Sequence, residues 1–410
     1  QEEKPPEEEI SKEPPVFSSH VDIERANKIP DRILLGETER GARKVYWEFG
    51  HRDLNNRHML VFGTSGMGKT YAIQCLLCEL AKAGQNALVL DYTNGFLPKH
   101  LEQHTKDFLN PKQHIVRNNP LPISPFKLQS QLIDEGVEIA ETSTTAAKRI
   151  ASTFKKLYGT IGDQQYPILI DAVNAGIEMY GDKLTLEQFQ SMLESFVDDG
   201  VHDRSRVLST LSKLKPFILE KPFSSDADGI GWNELFSDPK SRCHVFQFAG
   251  IDPTSSQLVI EFVLWDLNAF VRGTGDKSLP KVVVLDEVQN LDLSEGAPVA
   301  KYLTEGRKFG LSLVLATQTM ENLKGEKLSR LFQAGHKLFF RPAENEFQEH
   351  AKLMQGSVGG TVQEWIEKLS SLKKTECYSL GPSLNSATGV LEQVAMKIKI
   401  TALESRELHE

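Results

Sequence analysis

The stretch GTSGMGKT, Gly63 to Thr70, follows the apolar run HMLVF and precedes TYAIQCLLCELAKAG. It matches G-x-x-x-x-G-K-[ST] at every fixed position, in the strand-then-helix setting that gives the motif its meaning. Glycines let backbone N–H groups curl round a phosphate without Cβ obstruction. The N-terminus of the following helix adds donors and a partial positive charge. Gly63, Thr64, Ser65, Gly66, Met67, Gly68, Lys69, Thr70 and Tyr71 are therefore candidate nucleotide-binding residues. Lys69 would reach the β- and γ-phosphates, and Thr70 would ligate Mg²⁺. The competing reading, a Gly-rich turn with a solvated lysine, has only the loop and not its context in its favour.

Around this loop the hydrophobic pattern predicts an α/β fold. MLVFG (59–63) reads as a buried strand, and Ile73, Leu76, Leu77 and Leu80 recur at the spacing of a helix with one buried face. NALVLD (86–91) is a second buried strand, which makes a right-handed βαβ unit with parallel strands. CHVFQF (243–248), KVVVLD (281–286), LSLVLA (311–316) and HKLFF (336–340) are further strands. A central, mostly parallel sheet follows. RILLGETERGARKVYWEFG reads as a hairpin leading into the core. From about 140 to 235 four amphipathic helical segments run without a strand between them, AAKRIASTFKKLYG, YPILIDAVNAGIEMYG, TLEQFQSMLESFVDDG and RSRVLSTLSKLKPFIL. The expected organisation is a linker at 1–30, a core made of 31–140 and 236–410, and an all-helical insertion at 141–235. The linker reading rests on the acidic, Pro-rich composition of QEEKPPEEEISKEPPVFSSH.

A phosphate loop needs an acid at the end of another buried strand, and KVVVLDE supplies two. Asp286 is placed to hold Mg²⁺ through water. Glu287 stands where a base could polarise an attacking water. No guanine-reading [NT]-K-x-D element follows, so ATP is favoured over GTP. Past LSLVLA comes TQT, at the strand end where ligands bind in open α/β sheets. Gln318 there could touch a γ-phosphate or orient the water, or be an ordinary solvated residue, and spacing alone leaves both open. Asp91 is likewise either functional or a strand-end Asp.

Composition narrows the partners. The net charge of −9 argues against a surface coated for nucleic acid but leaves room for a local basic channel. Arg204, Arg206, Lys213 and Lys215 are cations for such a channel, or a solvated helix face. No apolar run approaches the ~20 residues of a membrane helix, so no membrane partner is expected. The four cysteines are too few for a disulfide scaffold, and Cys75 and Cys78 are expected to pack as small hydrophobes. The default compartment is the cytoplasm. The first residue is Gln, which suggests a processed chain or a piece of something longer.

HMLVFGTSGMGKT, VVVLDEVQNL and EGRKFGLSLVLATQT together resemble the HerA/FtsK superfamily of hexameric DNA-pumping ATPases, across roughly 31–400. The third stretch is the most specific, because many P-loop proteins share the first two. The resemblance implies a RecA-like P-loop NTPase core of the ASCE type, with Gln318 as the polar sensor. It implies that Arg307 reaches a neighbouring subunit's nucleotide, where the residues alone would also allow a cation at a helix C-terminus before Gly310. It further implies a homo-oligomeric ring, double-stranded DNA as the moved polymer, and helicase or translocase activity. Motors of this type often accompany nucleases in bacterial DNA processing, restriction-modification or antiviral defence. The chain is also similar to the C-terminal motor of phosphorothioation-linked restriction proteins of the DptH type. A protein-translocating or assembly ATPase of the conjugation type, or an ATP-switched regulatory module, are the alternatives. Two departures stand out. The β-barrel that usually precedes the loop in the HerA branch is absent or lies upstream of Gln1, and Phe96 stands in DYTNGF where the family often has an acid.

Overall fold

The computed structural model describes residues 32–134, 137–224, 229–274, 280–321 and 323–408. The segment expected to be a linker, 1–30, lies outside them. Among the described residues, eleven strands form one sheet in the spatial order β2-β1-β13-β12-β11-β3-β10-β9-β4-β8-β5. The seven from β11 (His336–Phe339) to β5 (Lys112–Ile115) are parallel throughout. Between them run β3 (Met59–Phe62), β10 (Leu311–Thr317), β9 (Lys281–Leu285), β4 (Ala87–Asp91) and β8 (Cys243–Gln247). Every residue of β3, β4, β8, β10 and β11 is buried, as strands covered on both faces must be.

The period of two sorts these strands between two cores. Leu60, Phe62, Leu88, Leu90, Val283 and Leu285 join one hydrophobic cluster. Met59, Val61, Ala87, Val89, Val282 and Val284 join the other. The helices of eight residues or more follow the same division. Helix α1 (Lys69–Lys82) seals the second cluster with Ile73, Leu76, Leu77 and Leu80, the face its spacing predicts. The four helical segments are α2 (Ser143–Leu157), α3 (Tyr166–Tyr180), α4 (Leu186–Ser195) and α5 (Arg204–Glu220). They pack into the first cluster, which continues into the sheet. Phe154 of α2 lies edge-on to Phe217 of α5 and to Phe262 of α6 (Pro253–Thr274). Helices α7 (Pro298–Glu305), α8 (Phe347–Val358) and α9 (Val362–Ser370) complete this set. A small hairpin that no pattern predicts, β6 (Ser130–Asp134) with β7 (Val137–Ala140), precedes α2.

The remaining strands are antiparallel. β12 (Glu376–Leu384) pairs with β11 and with β13 (Leu391–Ile400), then β1 (Ile33–Thr38) and β2 (Lys44–Trp47) follow. β1 and β2 are the predicted hairpin. Arg406, beyond β13, is 6% exposed. Its guanidinium donates to the carbonyls of Leu34 (2.8 Å) and Leu35 (3.1 Å) and to Glu79 of α1 (2.9 Å). The tail is thereby tied to β1 and to the helix that follows the phosphate loop. Among the described residues no helix is long and apolar enough to cross a membrane.

Candidate nucleotide site

Parallel strands put their carboxyl ends along one edge, where ligands bind in α/β sheets. That edge carries the loop after β3, Asp91 of β4, Asp286 and Glu287 after β9, and Gln318 after β10. In the loop, Gly63, Gly66 and Gly68 have φ of 147°, 80° and 104°. Gly63 has a second reason to lack a side chain: a Cβ there would lie 2.5 Å from the Cβ of Phe340. The Thr64 amide donates to the Arg341 carbonyl (3.0 Å), and the Thr375 amide to the Met67 carbonyl (2.9 Å). The end of β11 and the turn before β12 thus brace the loop from two sides, which no local motif reveals. Ser65 and Gly66 are exposed, and a Cβ on Gly66 would meet nothing within 4 Å, so the cradle faces open space. Tyr71 turns elsewhere, its hydroxyl accepting from the Leu403 amide (3.0 Å).

Lys69 is buried and its ammonium donates to the carbonyls of Gly63 (2.6 Å) and Thr64 (3.2 Å). Burial lowers its pKa, and the nearby Glu287 and Asp286 partly restore it. Thr70, Thr93 and Asp286 converge on Gly95: a Cβ there would lie 3.6 Å from Thr70 Cγ2 and Thr93 Oγ1 and 3.7 Å from Asp286 Oδ2. A hydroxyl and a carboxylate of this kind, beside a loop of backbone donors, fit a hard cation carrying phosphates. Asp91 is the organiser beneath them. It is fully buried and accepts from the amides of Thr93, Gly95 and Phe96 and from Gln247 (3.2, 3.0, 2.8 and 2.5 Å). The loop so shaped points Thr93 Oγ1 at Asp286 Oδ2, 2.6 Å away. Phe96, the departure noted in the sequence, packs in the core at 1% exposure.

Glu287 has φ 51°, ψ 47°, a left-handed conformation that costs a non-glycine residue about 1–3 kcal/mol and clusters at functional sites. Its carboxylate is gripped by two amides, Gln318 donating to Oε1 and Gln289 to Oε2. Burial raises the Glu287 pKa, and the Gln289 bond and then the Gln318 bond counter that rise, with Asp286 adding to it. Gln289 in turn accepts from the hydroxyl of Thr317 (2.7 Å). Sequence reasoning finds Gln318 but misses Gln289, although it lies inside VVVLDEVQNL, because its partners come from another strand.

Arg307 lies elsewhere. It precedes β10, at the amino edge of the sheet, so the seven residues of β10 separate it from its own loop by on the order of 20 Å. It is exposed and donates to the Asn55 carbonyl (2.8 Å). Arg57, just before β3, stands near it. Burial, then the charge of Arg307, lowers the Arg57 pKa. Neither arginine takes part in an ion pair among the described residues. The four channel candidates are not gathered at the nucleotide edge. Arg204 binds Asp198 and Lys213 binds the Thr160 carbonyl, while Arg206 and Lys215 are exposed on α5. Cys75 and Cys78 are buried, and burial pushes their pKa values up to about 11 and about 12, which keeps both thiols protonated and inert.

A family model described as "Helicase HerA, central domain" matches residues 44–267. Over 346 residues the chain is 22% identical to "Probable helicase MJ1565" of Methanocaldococcus jannaschii, covering 81% of this chain and 61% of that protein. It is 20% identical over 339 residues to "DNA double-strand break repair helicase HerA" of Sulfurisphaera tokodaii, covering 79% and 62%. The chain thus spans about three fifths of the length of these curated relatives. Among solved structures, VirB4 of Thermoanaerobacter pseudethanolicus superposes with a TM-score of 0.61 at 18% identity, over 90% of this chain and 96% of that one. The conjugative coupling protein TrwB in complex with ADP and Mg²⁺ superposes with a TM-score of 0.55 at 13% identity, over 93% and 97%. Both likenesses are of fold, the RecA-like P-loop core.

Proposed function

The chain belongs to the family of the HerA helicase central domain, and on that footing we propose that it is the ATP-hydrolysing motor of a DNA translocase that works as a ring. The observation that carries this reading is the split between the two edges of one sheet. The carboxyl edge holds a phosphate loop and carboxylates. The amino edge holds Arg57 and Arg307, neither in an ion pair with a described carboxylate, too far away to serve that loop. A head-to-tail interface brings the amino edge of one protomer to the carboxyl edge of the next, and its closed form is a ring. Six members is the number implied by the superfamily resemblance.

In this reading Lys69 trades its carbonyl partners for β- and γ-phosphate oxygens. Thr70 and Asp286 would hold Mg²⁺, which would supply positive charge to offset that of the phosphates. Glu287 takes the proton of the attacking water, and Gln318 leaves the carboxylate to contact the γ-phosphate. Arg307, with Arg57 beside it, stabilises the charge that develops in the neighbouring subunit's site. The named DNA-repair helicase among the relatives supports duplex DNA as the polymer. The helical segment 141–235 is proposed as an insertion between core segments 31–140 and 236–410. A nuclease or other defence partner, and a cytoplasmic place in DNA processing or restriction, rest on resemblance alone.

The test is the ATPase rate of the purified chain with and without duplex DNA at two salt concentrations, beside Glu287→Gln. Stimulation by DNA that falls steeply with salt, as release of condensed counterions requires, is the expected result. Turnover indifferent to DNA would overturn the DNA reading and favour a protein-translocating or assembly ATPase.

A further inference from the structure

The two amides on Glu287 are not equivalent. Among the described residues Gln318 makes one side-chain hydrogen bond, its amide on Oε1. Gln289 is tied at both ends, its nitrogen to Glu287 Oε2 and its oxygen to the Thr317 hydroxyl at 2.7 Å. Thr317 is fully buried at the end of β10, so that anchor is part of the sheet. Its hydroxyl has one hydrogen and two acceptors in reach, Gln289 Oε1 at 2.7 Å and the Thr319 carbonyl at 2.8 Å. Beyond it, Thr319 Oγ1 and the Met320 amide both donate to the buried Glu346, at 2.5 and 2.7 Å. The TQT segment is therefore fixed from behind.

From this asymmetry we propose that Gln289 is a positioning residue for hydrolysis. It keeps the Glu287 carboxylate aimed while Gln318 swings away to the γ-phosphate, and Thr317 is its brace. This inference rests on the ATPase reading above. The swinging amide costs the base one of two tethers, so the braced one must supply the orientation that remains. A general base displaced by about 1 Å loses on the order of 10²-fold in rate. The Gln289 side chain is bonded at one end to Glu287 and at the other to Thr317, so its loss should fall on kcat and leave nucleotide affinity intact.

The experiment compares Gln289→Ala, Thr317→Val, Thr317→Ser and the double variant Gln289→Ala/Thr317→Val, with Glu287→Gln as the control. ATP affinity and kcat are measured on each. Gln289→Ala is expected to lower kcat about 10- to 100-fold with KM and Kd within about twofold of the parent. Thr317→Val should show part of that loss and Thr317→Ser should recover it. The double variant should be no slower than Gln289→Ala, because brace and tether act as one unit. If the parent chain does not turn over ATP, the ATPase reading fails; if Glu287→Gln turns over at the parent rate, Glu287 is not the base; in either case the tether falls with it. If Glu287→Gln stalls while Gln289→Ala keeps the parent kcat, or if the two losses simply add, the tether alone is overturned.

Discussion

The two edges of the parallel sheet are built to opposite rules. At the carboxyl edge three charged groups are held on every side: Asp91 accepts four hydrogen bonds, Lys69 donates two, and Glu287 accepts from two amides. At the amino edge Arg307 is exposed, with one carbonyl for a hydrogen-bond partner among the described residues, and a second arginine stands close by. Buried groups without partners are costly, so the first edge is preorganised. A guanidinium that has no carboxylate partner can take a phosphate or carboxylate bidentately. The proposed role of Arg307 would need a second protomer, because its own loop lies at the opposite edge.

Breaking the carboxyl edge should have the largest effect. Lys69→Ala is expected to abolish ATP binding, read by calorimetry, and retained tight binding would remove the phosphate-loop assignment. Next comes the other edge. Arg307→Ala should bind ATP and assemble but lose roughly 10³–10⁵ in kcat, the range for an arginine acting on a transition state in trans. Mixing it with Glu287→Gln protein should return part of the activity, and no rescue in intact mixed rings would make Arg307 a structural residue. Glu287→Gln alone should cost about 10²–10⁴ in kcat with ATP bound, as loss of a general base does.

The mildest probe touches the support beneath the carboxyl edge. Glu261 of α6 is buried and accepts from the Asp292 amide (2.7 Å), and burial pushes its pKa up to about 8. Unfolded, it titrates near ~4.3. The folded state therefore holds a proton the unfolded one has lost between those values. That stability is fully present below ~4.3 and disappears as pH rises through about 8. Glu261→Gln should flatten the fall of Tm over that window, by ~2–4 °C for each kcal/mol of linkage it removes. An unchanged slope would show that the carboxyl ionises in place.

Much of this was legible in residue order, for a physical reason. Phosphate binding needs consecutive backbone donors, so Gly63–Thr70 must be contiguous, and the strand that ends in Asp286 must be apolar on both faces. What was not legible depends on the third dimension. Gln289 matters through Thr317, Thr93 through Asp286, and Arg57 through Arg307, and none of these pairs is close in the chain. β12 carries Gly381 and Pro382 in mid-strand, which weakens the period of two just where the sheet turns antiparallel. Residue order leaves Asp91 open between function and punctuation because what it does is shape the loop that carries Thr93.

Arg406 has a mechanical consequence. Its guanidinium links the end of the described chain to β1, near its beginning, and to α1, directly behind the phosphate loop. Tension applied at either end of the described chain therefore has, beside the strand ladders, one buried cross-brace through which to reach α1. If the chain is the motor proposed, a pull on either end would load the helix that follows the phosphate loop.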